Sequence, residues 1–544
     1  MKDPIVKISS GKIQGKKDFD VNGEEYYCFL GIPYAEPPLG KLRFKDPQPI
    51  RPWRNIFDAT EEGSACAQVD LITKERIGTE DCLNLNVFTK KISDIKSYDL
   101  KPVMVFIHGG AYLSGSNSQS LYGANFLIAE DVVLVTINYR LGIFGFFNID
   151  DESLDVPGNQ AFKDMLLALK WVQENIRKFC GDSNNVTLFG ESAGSGSAHL
   201  LMLSPLSKGK KTHPYRLFHK VIAQSGCAIN GWNYRRKSAT EEIAKKLNMS
   251  CRDPKKFLDD IQAVPLETIV DVQLQYEKEE DLGNTDRYIG LLIEKPHPNA
   301  FLTKHPWDII KKGDYHHVPL MMGYNTGEGM LFKALIPKNK RSVYWECPEI
   351  NVPDLLGFRT GSEVSKAFGK KITDYYMGPG PHTLDNTLEK MFMMTSDNCF
   401  VWGINYCVRK HASYSSEPIY FYRMSIETEL NTFKILSNIN SPGVSHADDL
   451  GYLFKSALTP DIEPGSMEDI GRRRFCRMWT NFAKYGDPTP VSDSLVPIKW
   501  LPVGDNKLCF LDIGKELQML ENPDKKRMDF WDDIYKSKDL SCKL

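Results

Sequence analysis

Asn185-Val-Thr-Leu-Phe-Gly-Glu-Ser-Ala-Gly194 is the stretch that decides the fold. An apolar, β-branched run ends in Gly190-Glu191-Ser192-Ala193-Gly194, and small residues follow it. Strand, sharp turn and helix around Gly-x-Ser-x-Gly form a nucleophile elbow. The glycines are needed because the turn is strained and a Cβ at either position would clash. The turn lifts the Ser192 hydroxyl off the sheet toward the start of a helix, where backbone N–H groups can hold an oxyanion. The pattern predicts a serine hydrolase.

Working outward, short apolar strands alternate with helical patterns from about 100 to 230. Pro102–His108 and Val132–Ile137 read as buried strands. Residues 160–178 are apolar at Phe162, Met165, Leu166, Leu169, Val172 and Ile176, a helical period. The strand at 186–189, a helix through about Leu203 and the strand His219–Gln224 come next, with Val318–Gly323 and Ile419–Arg423 as later strands. This alternation predicts an α/β fold with a mostly parallel sheet covered on both faces. Segments 230–310 and 335–415 are longer, more polar and richer in helical pattern, and are expected to form a cap over the site. No linker, repeat or low-complexity tract divides the chain, so one domain over 1–544 is expected.

Composition excludes several function classes. Net charge is −2 over 544 residues with the signs mixed, which leaves no nucleic-acid footprint and no polybasic membrane patch. The Lys208-Gly-Lys-Lys211 run reads as a solvated loop. No stretch approaches the ~20 apolar residues of a membrane span. Met1–Lys7 has no apolar signal core, so the expected location is cytoplasmic, or secreted if the chain is a mature form. Of twelve cysteines, Cys28, Cys180, Cys399, Cys407 and Cys509 sit in apolar runs and read as buried hydrophobes. Cys66 and Cys82 bracket a short loop and can pair; Cys227 and Cys251 are a weaker second pair. No Cys-x-x-Cys or His/Cys ligand pattern appears, so neither metal nor cofactor is expected. Asn185-Val-Thr and Asn248-Met-Ser are glycosylation sequons only in a secreted chain, and Asn185 begins a core strand.

A serine nucleophile needs a base, an acid that orients the base, and oxyanion donors. In the hydrolases that use this elbow the chain order is Ser, acid, His. Tyr324-Asn-Thr-Gly-Glu328-Gly329 follows a strand directly and offers Glu328 as the acid. Gly443-Val-Ser-His446-Ala-Asp-Asp-Leu450 follows the strand at 419–423 in a Gly/Pro/Ser-rich loop and offers His446 as the base. Catalytic groups gather at that edge of open α/β sheets. The other histidines have plainer readings: His199 packed in the helix after the elbow, His316 and His317 on the surface, and His213, His297 and His305 in loops. Phe106-Ile-His-Gly109-Gly110-Ala111 follows an early strand, as oxyanion loops do. The N–H groups of Gly110, Ala111 and Ala193, with Gly109 beside them, are expected to converge on one spot.

The chain resembles the type-B carboxylesterase and cholinesterase family nearly end to end. Phe29-Leu-Gly-Ile-Pro-Tyr-Ala-Glu-Pro-Pro-Leu-Gly-Lys-Leu-Arg-Phe44, Glu80-Asp-Cys-Leu-Asn-Leu-Asn-Val87, Phe189–Gly194 and Trp479-Thr-Asn-Phe-Ala-Lys-Tyr-Gly-Asp-Pro488 look like its signatures, in order. The resemblance implies the α/β-hydrolase fold, Ser192 as nucleophile, Glu328 as acid, His446 as base, a Cys66–Cys82 bridge and an Arg43–Glu80 ion pair. It implies small-molecule ester substrates, and organophosphates or carbamates as inhibitors. The 66–82 loop lacks the choline-binding Trp of cholinesterases, which argues against a quaternary ammonium substrate. That loop and the His446 block look most like insect-type carboxylesterases. Ala111 stands where the family has a third glycine, as in some juvenile hormone esterase relatives, whose serine motif usually has Gln in place of Glu191. Lys208–Arg216 is a basic insertion. The alternative is a binding or sequestering protein of the same fold with slow turnover or none.

Overall fold

Among the described residues, eleven strands hydrogen-bond into one sheet. In chain order they are β1 (Lys16–Phe19), β2 (Glu25–Pro33), β3 (Asn84–Thr89), β4 (Lys101–Ile107), β5 (Val133–Ile137) and β6 (Gly181–Glu191). β7 (Lys220–Gln224), β8 (Leu320–Asn325), β9 (Ile419–Met424), β10 (Cys509–Ile513) and β11 (Leu517–Glu521) complete the set. The spatial order is 11-10-9-8-7-6-4-5-3-2-1. All pairings between β5 at one end and β10 at the other are parallel. The pairings outside that block are antiparallel. This computed structural model describes residues 3–541 apart from 71–72, 93–98, 209–215, 236–237, 280–287, 379 and 505–506. The interior of the basic insertion, with Gly209, Lys210 and Lys211, lies outside the described residues.

The sheet has two cores because its strands are apolar on both faces. Val103, Val105 and Ile107 of β4 enter one core, while Met104 and Phe106 enter the other. β7 divides the same way, with Val221 and Ala223 opposite Ile222. Alternation with period two sends successive side chains to opposite faces, so a continuous apolar run means a strand covered twice. Helices α1 (Gln160–Asn175), α2 (Ala193–Leu203) and α3 (Trp402–Tyr414) line the first core. Helix α4 (Met467–Tyr485) lines the second through Phe475, Met478, Trp479 and Phe482.

The six predicted strands fall where the apolar runs place them, within two residues at most ends, while β10, also parallel, was not predicted. The strand before the elbow is longer than 186–189 because β6 begins at Gly181, with a register shift before Val186. The segment 335–415 is not cap throughout: α3 packs on β8 and β9 as a layer of the sheet. The Cys66–Cys82 bridge is formed. Cys227 and Cys251 do not pair; both are free, and the buried Cys227 thiol hydrogen-bonds Cys407 instead. Arg43 grips Glu80 bidentately, with Nε donating to Oε2 at 2.6 Å and Nη2 to Oε1.

Candidate active site

Ser192 takes φ 58° and ψ −121°, a conformation that costs a non-glycine residue about 1–3 kcal/mol. It persists because its surroundings hold it. The Ser192 N–H donates to the Gln224 carbonyl at 2.9 Å, tying the elbow to the end of β7. A Cβ on Gly194 would lie 2.0 Å from the Ile107 carbonyl oxygen, and one on Gly190 2.5 Å from the Gly194 backbone. Both glycines are therefore demanded by close approach of backbone, while the strained dihedral belongs to the serine. α2 starts directly after it, with Ala193 at the first helical position.

Two loops at the same sheet edge bring Glu328 and His446 together. Gly327 pairs with Ser445 in a parallel bridge, and the Gly327 N–H donates to the Val444 carbonyl at 2.8 Å. Thr326 and Asn325 add side-chain bonds to the Val444 N–H and the Ser445 carbonyl. The result is a 2.5 Å bond between His446 Nδ1 and Glu328 Oε2, with both residues buried. Glu328 Oε1 accepts from the Ser225 hydroxyl at 2.6 Å and the Asn325 N–H at 2.7 Å. That carboxylate is thus fixed on both oxygens, and the Nδ1 bond sets the tautomer that leaves Nε2 able to accept a proton.

A second carboxylate faces the same ring. Glu191 Oε1 lies 3.1 Å from His446 Nε2, and neither atom makes a hydrogen bond. Burial raises the Glu191 carboxyl to about 8, against the pull of His446. Burial alone would disfavour the His446 cation, but the fields of Glu191 and Glu328 outweigh it and lift the imidazole to about 9. Glu191 and His446 are coupled, each contributing to the other's shift. Below them Asp449 accepts from Gln224 Nε2 at 2.6 Å, and burial raises it to about 6. The Phe400 ring covers the imidazole at 4.7 Å between centroids, and Trp232 packs on Phe400 at 5.9 Å.

The loop after β4 comes beside Ser192: a Cβ on Gly109 would lie 3.1 Å from Ser192 Cβ. His108, buried and pushed down to about 4, is neutral, and its Nδ1 donates to the Gly109 carbonyl at 2.8 Å. The Gly110 carbonyl accepts from the N–H groups of Leu113 and Ser114. In a trans peptide the N–H points opposite to its carbonyl. Holding these two carbonyls therefore aims the N–H groups of Gly110 and Ala111 the other way. Ala111 and Tyr112 both sit at positive φ, 57° and 65°.

Several neighbours of Ser192, Glu328 and His446 escape the sequence reading. Glu191 lies inside the serine motif, but nothing in the spacing says that its side chain turns toward His446. Ser225 and Gln224 close β7 at the catalytic edge, so the rule that nominated Glu328 nominates them too. Phe400 had no signal; it sits on a π-helical turn, Asp397–Val401, between two helices. His316 is buried rather than on the surface, against Phe218. His199, His411 and Cys407 are the one grouping among the described residues with the donors of a metal site. Its ring nitrogens are already engaged, to Ala228, to one another and to Tyr315.

The chain has relatives among known proteins. The Carboxylesterase family model matches residues 2–531. Juvenile hormone esterase of Tribolium castaneum is 34% identical over 517 residues, covering 90% of this chain and 84% of that protein. Esterase FE4 of Myzus persicae is 33% identical, over 92% of this chain and 87% of that one. The crystal structure of juvenile hormone esterase from Manduca sexta, with OTFP covalently attached, superposes with a TM-score of 0.85 at 28% identity, over 98% of this chain and all of that one. These matches favour a hydrolase over a binding protein. The chain belongs to the carboxylesterase family, has the α/β-hydrolase fold and is a carboxylic ester hydrolase.

Proposed function

We propose that ester cleavage runs through an acyl-enzyme on Ser192. His446 Nε2 takes the hydroxyl proton as Ser192 attacks the carbonyl, and returns it to the departing alcohol. Water, activated by the same nitrogen, releases the acid. Glu328 orients the ring and stabilises its cation. The N–H groups of Gly110, Ala111 and Ala193 receive the oxyanion, with Gly109 giving them room. The observation that carries this reading is the buried His446–Glu328 bond beside a serine held at positive φ. Loss of one oxyanion donor typically costs 10²–10³ in rate, about 3–4 kcal/mol.

The substrates are uncharged esters with an apolar side. Phe400 and Trp232 supply aromatic surface at His446, and the carboxylates of Glu328 and Asp449 make the centre hostile to anions. A juvenile hormone ester, on which two of the relatives are named to act, is the first natural substrate to assay. Glu191, where such relatives usually carry Gln, keeps xenobiotic esters beside it. Organophosphates and carbamates should acylate Ser192 in the same way. The test is hydrolysis of p-nitrophenyl butyrate with a fluorophosphonate label, in wild type and Ser192→Ala. Activity and label that both vanish in the variant support the reading; a folded wild type with neither sinks it. Mono-p-nitrophenyl succinate, which carries a carboxylate, should react at least about tenfold more slowly than the butyrate, a difference of ~1.4 kcal/mol.

A further inference from the structure

We infer that Gln68, in the loop closed by Cys66 and Cys82, is a positioning residue of the oxyanion hole; this rests on the site proposed above. Its carboxamide meets both backbone groups of one residue. Gln68 Oε1 accepts the Gly115 N–H at 2.6 Å, and Gln68 Nε2 donates to the Gly115 carbonyl at 2.7 Å. Nε2 also donates to the Cys66 carbonyl at 2.9 Å, within its own loop. The side chain is buried, with 1% of its surface exposed. Among side chains of this length only a carboxamide both accepts and donates in this way.

Gly115 is the far anchor of the oxyanion loop. It has φ +113°, and a Cβ there would lie 2.4 Å from His108 Nδ1 and 2.7 Å from the Gly109 carbonyl oxygen. Its Cα therefore rests on the hydrogen bond that aims the Gly110 N–H. Between Gly109 and Gly115 the backbone is at positive φ at Gly110, Ala111 and Tyr112. Such a segment keeps its shape only if its ends are held. The near end continues β4, and Tyr112 is tied by its carbonyl to the Gly142 N–H at 2.8 Å. The far end is held by Gln68. The Gln68 loop is itself held by the disulfide, by the pairing of Gln68–Val69 with Arg76–Ile77, and by the Arg76–Asp271 ion pair. Without the clamp, Gly115 drifts, the Gly109 peptide loses its support, and the donors leave the position where charge develops. Ground-state binding, which needs no oxyanion donor, stays in place.

The experiment compares wild type with Gln68→Ala and Gln68→Met, using p-nitrophenyl butyrate turnover and inhibition by an aliphatic trifluoromethyl ketone. Ser192 Oγ adds to the ketone's carbonyl carbon as its proton passes to His446 Nε2, the C=O π bond opens, and the carbonyl oxygen becomes the oxyanion. The expected result is a kcat lower by about 10–100-fold, KM within about twofold, and ketone affinity lost by the same factor as kcat/KM. Full ketone affinity and kcat in either folded variant overturns the clamp. So does a fall in kcat with ketone affinity intact. A wild type that the ketone inhibits no better than its ground-state analogue, the plain methyl ketone, overturns the site reading instead. If neither variant folds, hydrogen exchange on wild-type enzyme decides: a Gly115 amide as protected as those of β4 supports the clamp, and one exchanging at the rate of a free loop overturns it.

Discussion

Two of the buried histidine centres, His446 and the His199–His411 pair, behave oppositely. His446 lies between Glu191 and Glu328 and is lifted to about 9. His199 and His411 touch each other through their Nε2 atoms at 2.7 Å, with no carboxylate in contact, and are pushed down, His199 to about 3. All three are withdrawn from solvent, with at most 3% of their surface exposed. Burial acts on each in the same direction, against the cation. The acids decide the outcome at one centre, and their absence decides it at the other. In the core pair, the Ala228 N–H donates to His199 Nδ1, so His199 carries its proton on Nε2 and donates to His411. His411 Nδ1 then donates to the Tyr315 hydroxyl at 2.6 Å. Every nitrogen is satisfied with both rings neutral, so nothing there is left to take a proton. A base needs the reverse: one nitrogen fixed on an acid and the other unsatisfied.

That contrast is broken most severely by His446→Ala, which should lower kcat by about 10⁵–10⁶-fold. Rates of acylation by p-nitrophenyl butyrate measure it. Glu328→Gln should cost about 10⁴-fold, because a carboxamide can present its donor to Nδ1 and select the wrong tautomer. A loss under tenfold would show that the orientation of the ring is set elsewhere.

Glu191→Gln sharpens the comparison. Removing one negative field lowers the His446 pKa by about 1–3 units. The neutral base then survives to lower pH, and the acidic limb of kcat/KM moves down. An acidic limb that moves up, or stays, would mean that Glu191 is neutral over the working range. Mutation at the other centre should not touch the profile at all. His411→Leu leaves the His199 Nε2–H and the Tyr315 hydroxyl short of partners in the core, costing about 1–3 kcal/mol of stability. Thermal unfolding should fall by about 1–3 degrees while the pH profile of kcat/KM stays put. Ala111→Gly is the mildest change. It relieves a positive φ at a cost to unfolded-chain entropy, for a net effect within about 1 kcal/mol and a rate within a few-fold of wild type.

The sequence displays the parallel block well and the edges poorly. Val103–Ile107 and Val133–Ile137 announce themselves because strands buried on both faces must be apolar throughout. β1 and β11 are half-exposed and carry mixed residues such as Lys16-Lys-Asp-Phe19, so no run marks them. Ser192, Glu328 and His446 were open to nomination because chain order and strand ends constrain them. Glu191, Phe400 and Gln68 were not, because their roles depend on where a side chain points after three separate loops have met. His316 misled for the same reason: its neighbours in sequence are polar, while its neighbour in space is Phe218.

The indole of Trp479 donates to Gln224 Oε1 at 3.1 Å, and the other end of that carboxamide holds Asp449. Synthesis of the chain therefore delivers Ser192, Glu328 and His446 before the helix that fixes the Gln224 carboxamide exists. Helix α4 must arrive, cross behind the sheet and place its indole before the carboxamide is fixed. A chain ending between His446 and that helix carries Ser192, Glu328 and His446 and leaves the Gln224 carboxamide without its indole donor.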